Sequence, residues 1–279
     1  MLPTFLVIGA MKAGTTSVYE YLRAHPQVFM SETKELKFFL ASQPDGSWQR
    51  GVDWYERQFD GADGARAVGE ASVGYSMYPH ATGVSGRIAE IVPDVQLLYL
   101  VRDPIERMRS QYLMRVWNGR ERLPIEQALL TRPFYVDLSR YAMQIDQYLE
   151  HFPVENLLVV RSESLRRDRA RTMERIFAFL GVRSDEAARI DKGEFNAGEQ
   201  LRRPVGVDRM LRSIPGYQTI ARTMPGSVRL AKYRVLNRRV KADLNISTNV
   251  RRELEDRLCA DIPRLRAYLG EDFDGWGIA

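Results

Sequence analysis

Residues 5–16, Phe-Leu-Val-Ile-Gly9-Ala-Met-Lys12-Ala-Gly14-Thr15-Thr16, constrain this chain more than any other stretch. An apolar run reaches a glycine, a short loop closes on a second glycine, and paired threonines open an amphipathic segment. Val18, Tyr21 and Leu22 follow at i, i+3 and i+4. This order predicts a buried strand over Phe5–Ile8, a phosphate loop, and a helix covering Ser17–Arg23. The first turn of a helix leaves N–H groups unpaired and carries the positive end of the helix dipole, so the loop suits an anion. Its spacing differs at one position from the triphosphate-binding pattern G-x-x-x-x-G-K-[ST]. Thr15 stands where that pattern has lysine, and Lys12 lies inside the loop instead. The expected ligand is therefore a phosphate compound other than Mg·ATP.

At 279 residues the chain has room for one large α/β domain or two small ones. A hydrophobic content of 44% with 28% charged residues is ordinary for a soluble globular protein. No apolar run approaches the roughly 18 residues of a membrane span, and the first strand begins close to Met1. Cys259 is the single cysteine, which rules out an intrachain disulfide and fits a reducing compartment. A soluble, cytoplasmic protein is the expectation. With only His25, His80 and His151 beside that cysteine, a structural zinc site is disfavoured and no metal is expected.

Charge is unevenly spread. Residues 202–241 hold 11 Lys/Arg against one acid, Asp208, a local charge of +10 in a chain whose net charge is +5, so the remainder carries −5. Such a segment meets anions: a cofactor, an acidic acceptor or a peripheral membrane surface. No nucleic-acid reader motif accompanies it, and no nucleic-acid partner is expected. The alternative is a solvated basic face.

Further strands are expected at Ala67–Glu70, Val95–Val101 and Asn156–Val160, with helices after Arg102-Asp-Pro104 and over Arg171–Leu180. This alternation predicts a mostly parallel sheet covered by helices on both faces. Ligands of such sheets lie beyond the carboxyl ends of the strands. The Gly9–Thr16 loop, Glu70 and Arg102 would then share one rim. Glycines and prolines punctuate the chain after Phe195, predicting an irregular basic flap over about 195–245. A final helix is expected over about 248–270, with an apolar stripe of Leu254, Leu258, Ile262, Leu265 and Leu269 and a kink or break at Pro263.

The second informative block is Arg102-Asp-Pro-Ile-Glu-Arg107-Met-Arg-Ser110-Gln-Tyr112. An arginine at a strand end and a serine eight residues on can converge on one phosphate. Taken alone, the Arg-Asp-Pro stretch is also an ordinary helix cap.

Together the two blocks resemble those of the sulfotransferases that use 3′-phosphoadenosine 5′-phosphosulfate (PAPS), in particular the branch of the heparan sulfate enzymes and many soluble bacterial members. His25-Pro26, Lys34-Glu-Leu-Lys37-Phe-Phe39, Trp54-Tyr55, Glu70-Ala-Ser72 with Tyr75, and Leu265…Gly270…Trp276 keep the family's order. The resemblance implies a P-loop-like three-layer α/β fold forming a single domain over residues 1–279. It also implies PAPS as co-substrate and in-line transfer of a sulfuryl group to a hydroxyl or amine. Lys12, Ala13, Gly14, Thr15 and Thr16 would hold the 5′-phosphosulfate, with Lys12 stabilising the leaving phosphate. Arg102 and Ser110, joined by Arg202 and Arg203 of the flap, would hold the 3′-phosphate. Glu70 would be the general base, with His80 as the alternative base and pairing to Lys12 or Arg102 as the alternative role for Glu70. Lys34, Lys37, Tyr75 and His80 would lie toward the acceptor, a small molecule, glycan or lipid. Lys37 departs from the family pattern, which carries histidine there. His25 is expected to be structural. A P-loop phosphotransferase and a non-catalytic anion-binding module are the competing readings.

Overall fold

The structure, a computed structural model, describes residues 1–189, 202–204, 237–239 and 242–278. Five strands, β1 (Phe5–Gly9), β2 (Val28–Met30), β3 (Ala67–Ala71), β4 (Gln96–Val101) and β5 (Leu157–Arg161), form one sheet in the order β2-β3-β1-β4-β5. Every neighbouring pair is parallel. β1 and β3 are buried throughout, as befits central strands covered on both faces; β1 is an unbroken apolar run, while β3 carries Glu70 among its buried residues.

The helices are α1 (Thr15–Arg23), α2 (Val52–Glu56), α3 (Val84–Ile91), α4 (Pro104–Trp117), α5 (Ile125–Thr131), α6 (Pro133–Asp137), α7 (Tyr141–Leu149), α8 (Ser162–Arg167), α9 (Arg169–Phe179), α10 (Thr248–Asp256) and α11 (Arg266–Leu269). Local chemistry sets their starts. Asp103 caps α4 by accepting the N–H of Glu106 at 3.0 Å, with Pro104 in the first turn. Asp168 caps α9 in the same way through the N–H of Arg171.

Pro263 divides the final segment more completely than a kink. α10 ends at Asp256, a 3-10 turn spans Ile262–Leu265, and α11 is a single turn. Leu254, Leu258, Ile262 and Leu265 are nevertheless all buried. The helix expected over about 248–270, with a kink or break at Pro263, is thus three pieces sharing one apolar stripe. The flap expected over 195–245 falls largely outside the described residues. Within it, β6 (Arg202–Pro204) pairs antiparallel with β7 (Asn237–Arg239), Arg202 opposite Arg239 and Arg203 opposite Arg238.

Two features fix the rim of the sheet. Gly69 of β3 lies opposite Phe5 of β1, and a Cβ there would stand 2.3 Å from the Phe5 ring, so the aromatic fills the space that glycine leaves. Arg107 on α4 is fully buried. Its guanidinium donates to Ser139 Oγ at 2.7 Å, Gln111 Oε1 at 2.9 Å and the Tyr135 carbonyl at 2.6 Å. It therefore pins α4 to α6 and the turn after it.

Candidate active site at the carboxyl ends of β1, β3 and β4

β1 runs into a loop with three residues at positive φ: Gly9 at 151°, Lys12 at 71° and Gly14 at 94°. At Gly9 a Cβ would lie 1.9 Å from Ser76 Oγ, so the strand end admits only glycine. Gly14 is the N-cap of α1. Its carbonyl accepts the N–H groups of Ser17 and Val18 at 3.1 and 3.3 Å. The N–H groups of Thr15 and Thr16 precede these bonds and are available to a ligand. Ala13 and Thr15 are buried, while Lys12, Gly14 and Thr16 are half-buried.

Lys12 has no carboxylate within ion-pairing distance among the described residues. Burial, then the charges of Arg102 and Lys34, push its pKa below the usual lysine value. Arg102, immediately after β4, donates from Nη1 to the Lys12 carbonyl at 3.4 Å, and its own carbonyl accepts the Tyr141 hydroxyl at 2.6 Å. Burial, then Arg166, lowers the Arg102 pKa, while Glu106 at 3.8 Å opposes the shift. Ser110 is half-buried on α4, one turn beyond Glu106 on the same helical face.

α8 completes the cluster. Glu163 accepts the N–H of Asp103 at 2.9 Å, and Ser162 Oγ lies 3.5 Å from where a Gly14 Cβ would be. Arg166, exposed on this helix, adds its positive charge near Arg102. The sequence reading missed it, although its place just past a strand end was the available signal.

Glu70, the penultimate residue of β3, is 0% exposed. The hydroxyls of Tyr55 and Tyr75 donate to its Oε1 at 2.8 and 2.6 Å, and Ser72 Oγ donates to Oε2 at 2.8 Å. Burial raises its pKa to about 7, against the lowering effect of the three hydroxyls, with Glu35 adding a further upward push. Glu70 pairs with neither Lys12 nor Arg102. An aromatic wall encloses it, with Phe38 stacked on Tyr55 at 4.2 Å and Phe39 edge-on to Tyr75 at 5.5 Å.

The four residues expected toward the acceptor separate. Lys34 faces Lys12 electrostatically and pairs with Glu35 at 2.7 Å. Glu35 also accepts the Val73 N–H at 3.1 Å, which links the phosphate-loop cations to the Glu70 segment. Lys37 is ion-paired with Asp45, and its N–H donates to Ser72 Oγ at 3.0 Å. Tyr75 is buried, with its hydroxyl committed to Glu70 rather than open to an acceptor. His80 is hydrogen-bonded through Nε2 to Asp137 at 3.0 Å and packs edge-on to Phe134, outside the set of groups that hold Glu70. His25 is structural: Nδ1 accepts the Gln27 N–H and Nε2 donates to the Arg183 carbonyl. The side chains of Arg202 and Arg203 lie outside the described residues. Among the described residues no cluster of three or more His, Cys, Asp or Glu is arranged to hold a metal, and no helix is long and apolar enough to cross a membrane.

The family profile described as "Sulfotransferase domain" matches residues 2–195. The chain belongs to the sulfotransferase family. The chain is 29% identical over 208 residues to the human bifunctional heparan sulfate N-deacetylase/N-sulfotransferase 3, covering 65% of the chain and 22% of the relative. It is 29% identical over 192 residues to the human heparan sulfate glucosamine 3-O-sulfotransferase 3B1, covering 65% and 47%. The match thus spans less than half the length of these relatives. Among solved structures, a sulfotransferase from Alicyclobacillus acidocaldarius superposes with a TM-score of 0.70 at 26% identity, covering 99% of each chain. A mouse sulfotransferase complexed with PAP shares the fold at a TM-score of 0.50 and 11% identity, covering 99% and 87%. The sheet and its flanking helices are the P-loop-like α/β fold of these proteins.

Proposed function

We propose that this protein transfers the sulfuryl group of PAPS to a hydroxyl or amine acceptor, and that it does so as one domain spanning residues 1–279. The observation that carries this reading is the convergence of Lys12, Lys34, Arg102 and Arg166 on the loop between β1 and α1. Among the described residues Lys12 is a half-buried ammonium without an anionic partner, and its cationic neighbours repel it. An anionic ligand at the helix N-terminus relieves that repulsion, and a nucleotide with phosphate at both ends suits two cation groups set on adjacent strand ends. Family membership and the PAP-bound neighbour support PAPS as its identity.

In the transfer, an acceptor oxygen or nitrogen attacks sulfur while the bond from sulfur to the bridging phosphate oxygen breaks. The leaving group is adenosine 3′,5′-bisphosphate (PAP), and Lys12 with the N–H groups of Thr15 and Thr16 stabilises the charge gathering on its 5′-phosphate. No metal is required for this step. Arg102 and Ser110, with Arg202 and Arg203 of the flap, hold the 3′-phosphate.

Glu70 takes the acceptor's proton. Each carboxylate oxygen has two acceptor directions; Oε1 receives two hydroxyls and Oε2 one, so Oε2 is the atom with room for that proton. A pKa of about 7 matches the demand on a general base working near neutral pH. The heparan sulfate relatives support a glycan acceptor, with small molecules and lipids as the other classes and a cytoplasmic setting as the accompanying expectation. The basic 202–241 segment is suited to an anionic acceptor or membrane surface.

The test is release of PAP from PAPS with hydroxyl and amine acceptors. Acceptor-dependent release, abolished in Lys12→Ala, supports the reading. PAP binding without release on any acceptor would support a non-catalytic anion module instead.

A further inference from the structure

A second concentration of positive charge lies apart from the residues assigned to the donor. A cavity of about 500 Å³ opens where the end of β5 meets α8, α9 and Leu269 of α11. Arg161, Arg167, Arg171 and Arg175 line it. Asp168 is the one acid of the lining, and its Oδ1 accepts the Arg171 N–H as the cap of α9. None of the four arginines has a carboxylate within ion-pairing distance among the described residues. Several other surface arginines do pair, such as Arg109 with Glu106, Arg132 with Glu121, Arg183 with Glu186 and Arg264 with Asp146. What sets these four apart is that they share one concavity.

The arrangement is directional. β5 is an edge strand. Arg171 and Arg175 stand one turn apart on the same face of α9, and Arg167 ends the preceding helix. α8 begins at Ser162, beside Gly14 of the phosphate loop, and ends at Arg167 in the cavity. Six residues of helix measure about 9 Å, so the cavity lies roughly one helix length from the loop. Guanidinium groups fork onto planar oxyanions.

We propose that the cavity beside β5 is a second oxyanion site, separate from the donor site, that takes sulfate or carboxylate groups borne by an acidic acceptor chain. The proposal rests on the sulfotransferase reading for the word acceptor, but not for the site itself.

The test is calorimetric titration with a heparin-derived hexasaccharide, with and without saturating PAP, and with inorganic sulfate as a separate arm. Three proteins are compared: the natural chain, a triple variant Arg167→Gln, Arg171→Gln, Arg175→Gln, and a charge-matched triple variant Arg23→Gln, Arg57→Gln, Arg66→Gln. The substituted residues are all exposed, so folding is preserved. The expected result is a loss of at least about tenfold in hexasaccharide affinity for the cavity variant alone, with PAP affinity unchanged. Equal losses in both variants would overturn the site in favour of diffuse attraction. Loss of PAP affinity in the cavity variant would make it part of the donor site. Binding of sulfate alone, with hexasaccharide affinity indifferent to the cavity arginines, would remove the acceptor. Failure of the natural chain to bind PAP counts against the sulfotransferase reading, while the arm without PAP still reads the cavity.

Discussion

The guanidinium of Arg102 donates a hydrogen bond to the main-chain carbonyl of Lys12 at 3.4 Å. One bond therefore ties the end of β4 to the phosphate loop after β1, and the charge of Arg102 bears on Lys12. Lys12→Ala and Arg102→Ala should each weaken PAP binding about 10- to 100-fold, the loss expected for a charge-assisted contact. The Arg102 variant should also loosen the loop. Titration of each variant with PAP checks the first claim, and amide exchange across residues 10–16 checks the second. Unchanged PAP affinity in both would remove the loop as the donor site.

Glu70 supplies a pH-dependent prediction. With its pKa at about 7, kcat/KM should rise with pH up to about 7 and then level as the base becomes deprotonated. Glu70→Gln should lower kcat by roughly 10²- to 10⁴-fold, abolish that limb and leave PAP affinity intact. A pH–rate profile of both proteins decides this.

The same shift acts on stability. The native carboxyl holds its proton more tightly than an unfolded one, whose pKa is near 4.5. The unfolded chain thus binds fewer protons between about pH 4.5 and 7, so stability should fall as pH rises through that window and level off above it. The total is about 3 kcal/mol. Denaturant unfolding at pH 5 and pH 8 should show this difference in the natural chain and lack it in Glu70→Gln.

Gly69 and Phe5 give a packing prediction. A Cβ at position 69 would overlap the Phe5 ring, so Gly69→Ala should destabilise by about 1–3 kcal/mol through overpacking. Adding Phe5→Leu should recover part of the loss, since the two sites share one space. Thermal unfolding of the single and double variants measures the coupling.

Arg107 is a motif residue whose role is structural. Removing its guanidinium leaves three buried acceptors, at Ser139, Gln111 and Tyr135, without their donor. Arg107→Ala should cost about 3 kcal/mol. Lysine cannot restore the fork, so Arg107→Lys should rescue little of the lost Tm.

What the sequence disclosed follows from the range of the interactions concerned. β1, β4 and β5 were legible because buried parallel strands read as unbroken apolar runs, and the phosphate loop was legible because its two glycines are local requirements. Glu70 could be placed at a strand end, but its enclosure by Tyr55, Ser72 and Tyr75 depends on packing between segments 15 residues apart. That enclosure turned Tyr75 from an acceptor contact into a support for Glu70. Three-residue β2 is too short to carry a periodic signal. Arg166 follows a strand end, but its closeness to Arg102 depends on how α8 packs against the loop.

The most direct test of the account is calorimetric titration of the natural chain with PAP in the presence of EDTA, with Mg·ATP as the comparison. The account predicts tight, metal-independent PAP binding that is lost in Lys12→Ala and Arg102→Ala. Binding of Mg·ATP without binding of PAP would contradict it and establish the loop as a triphosphate site.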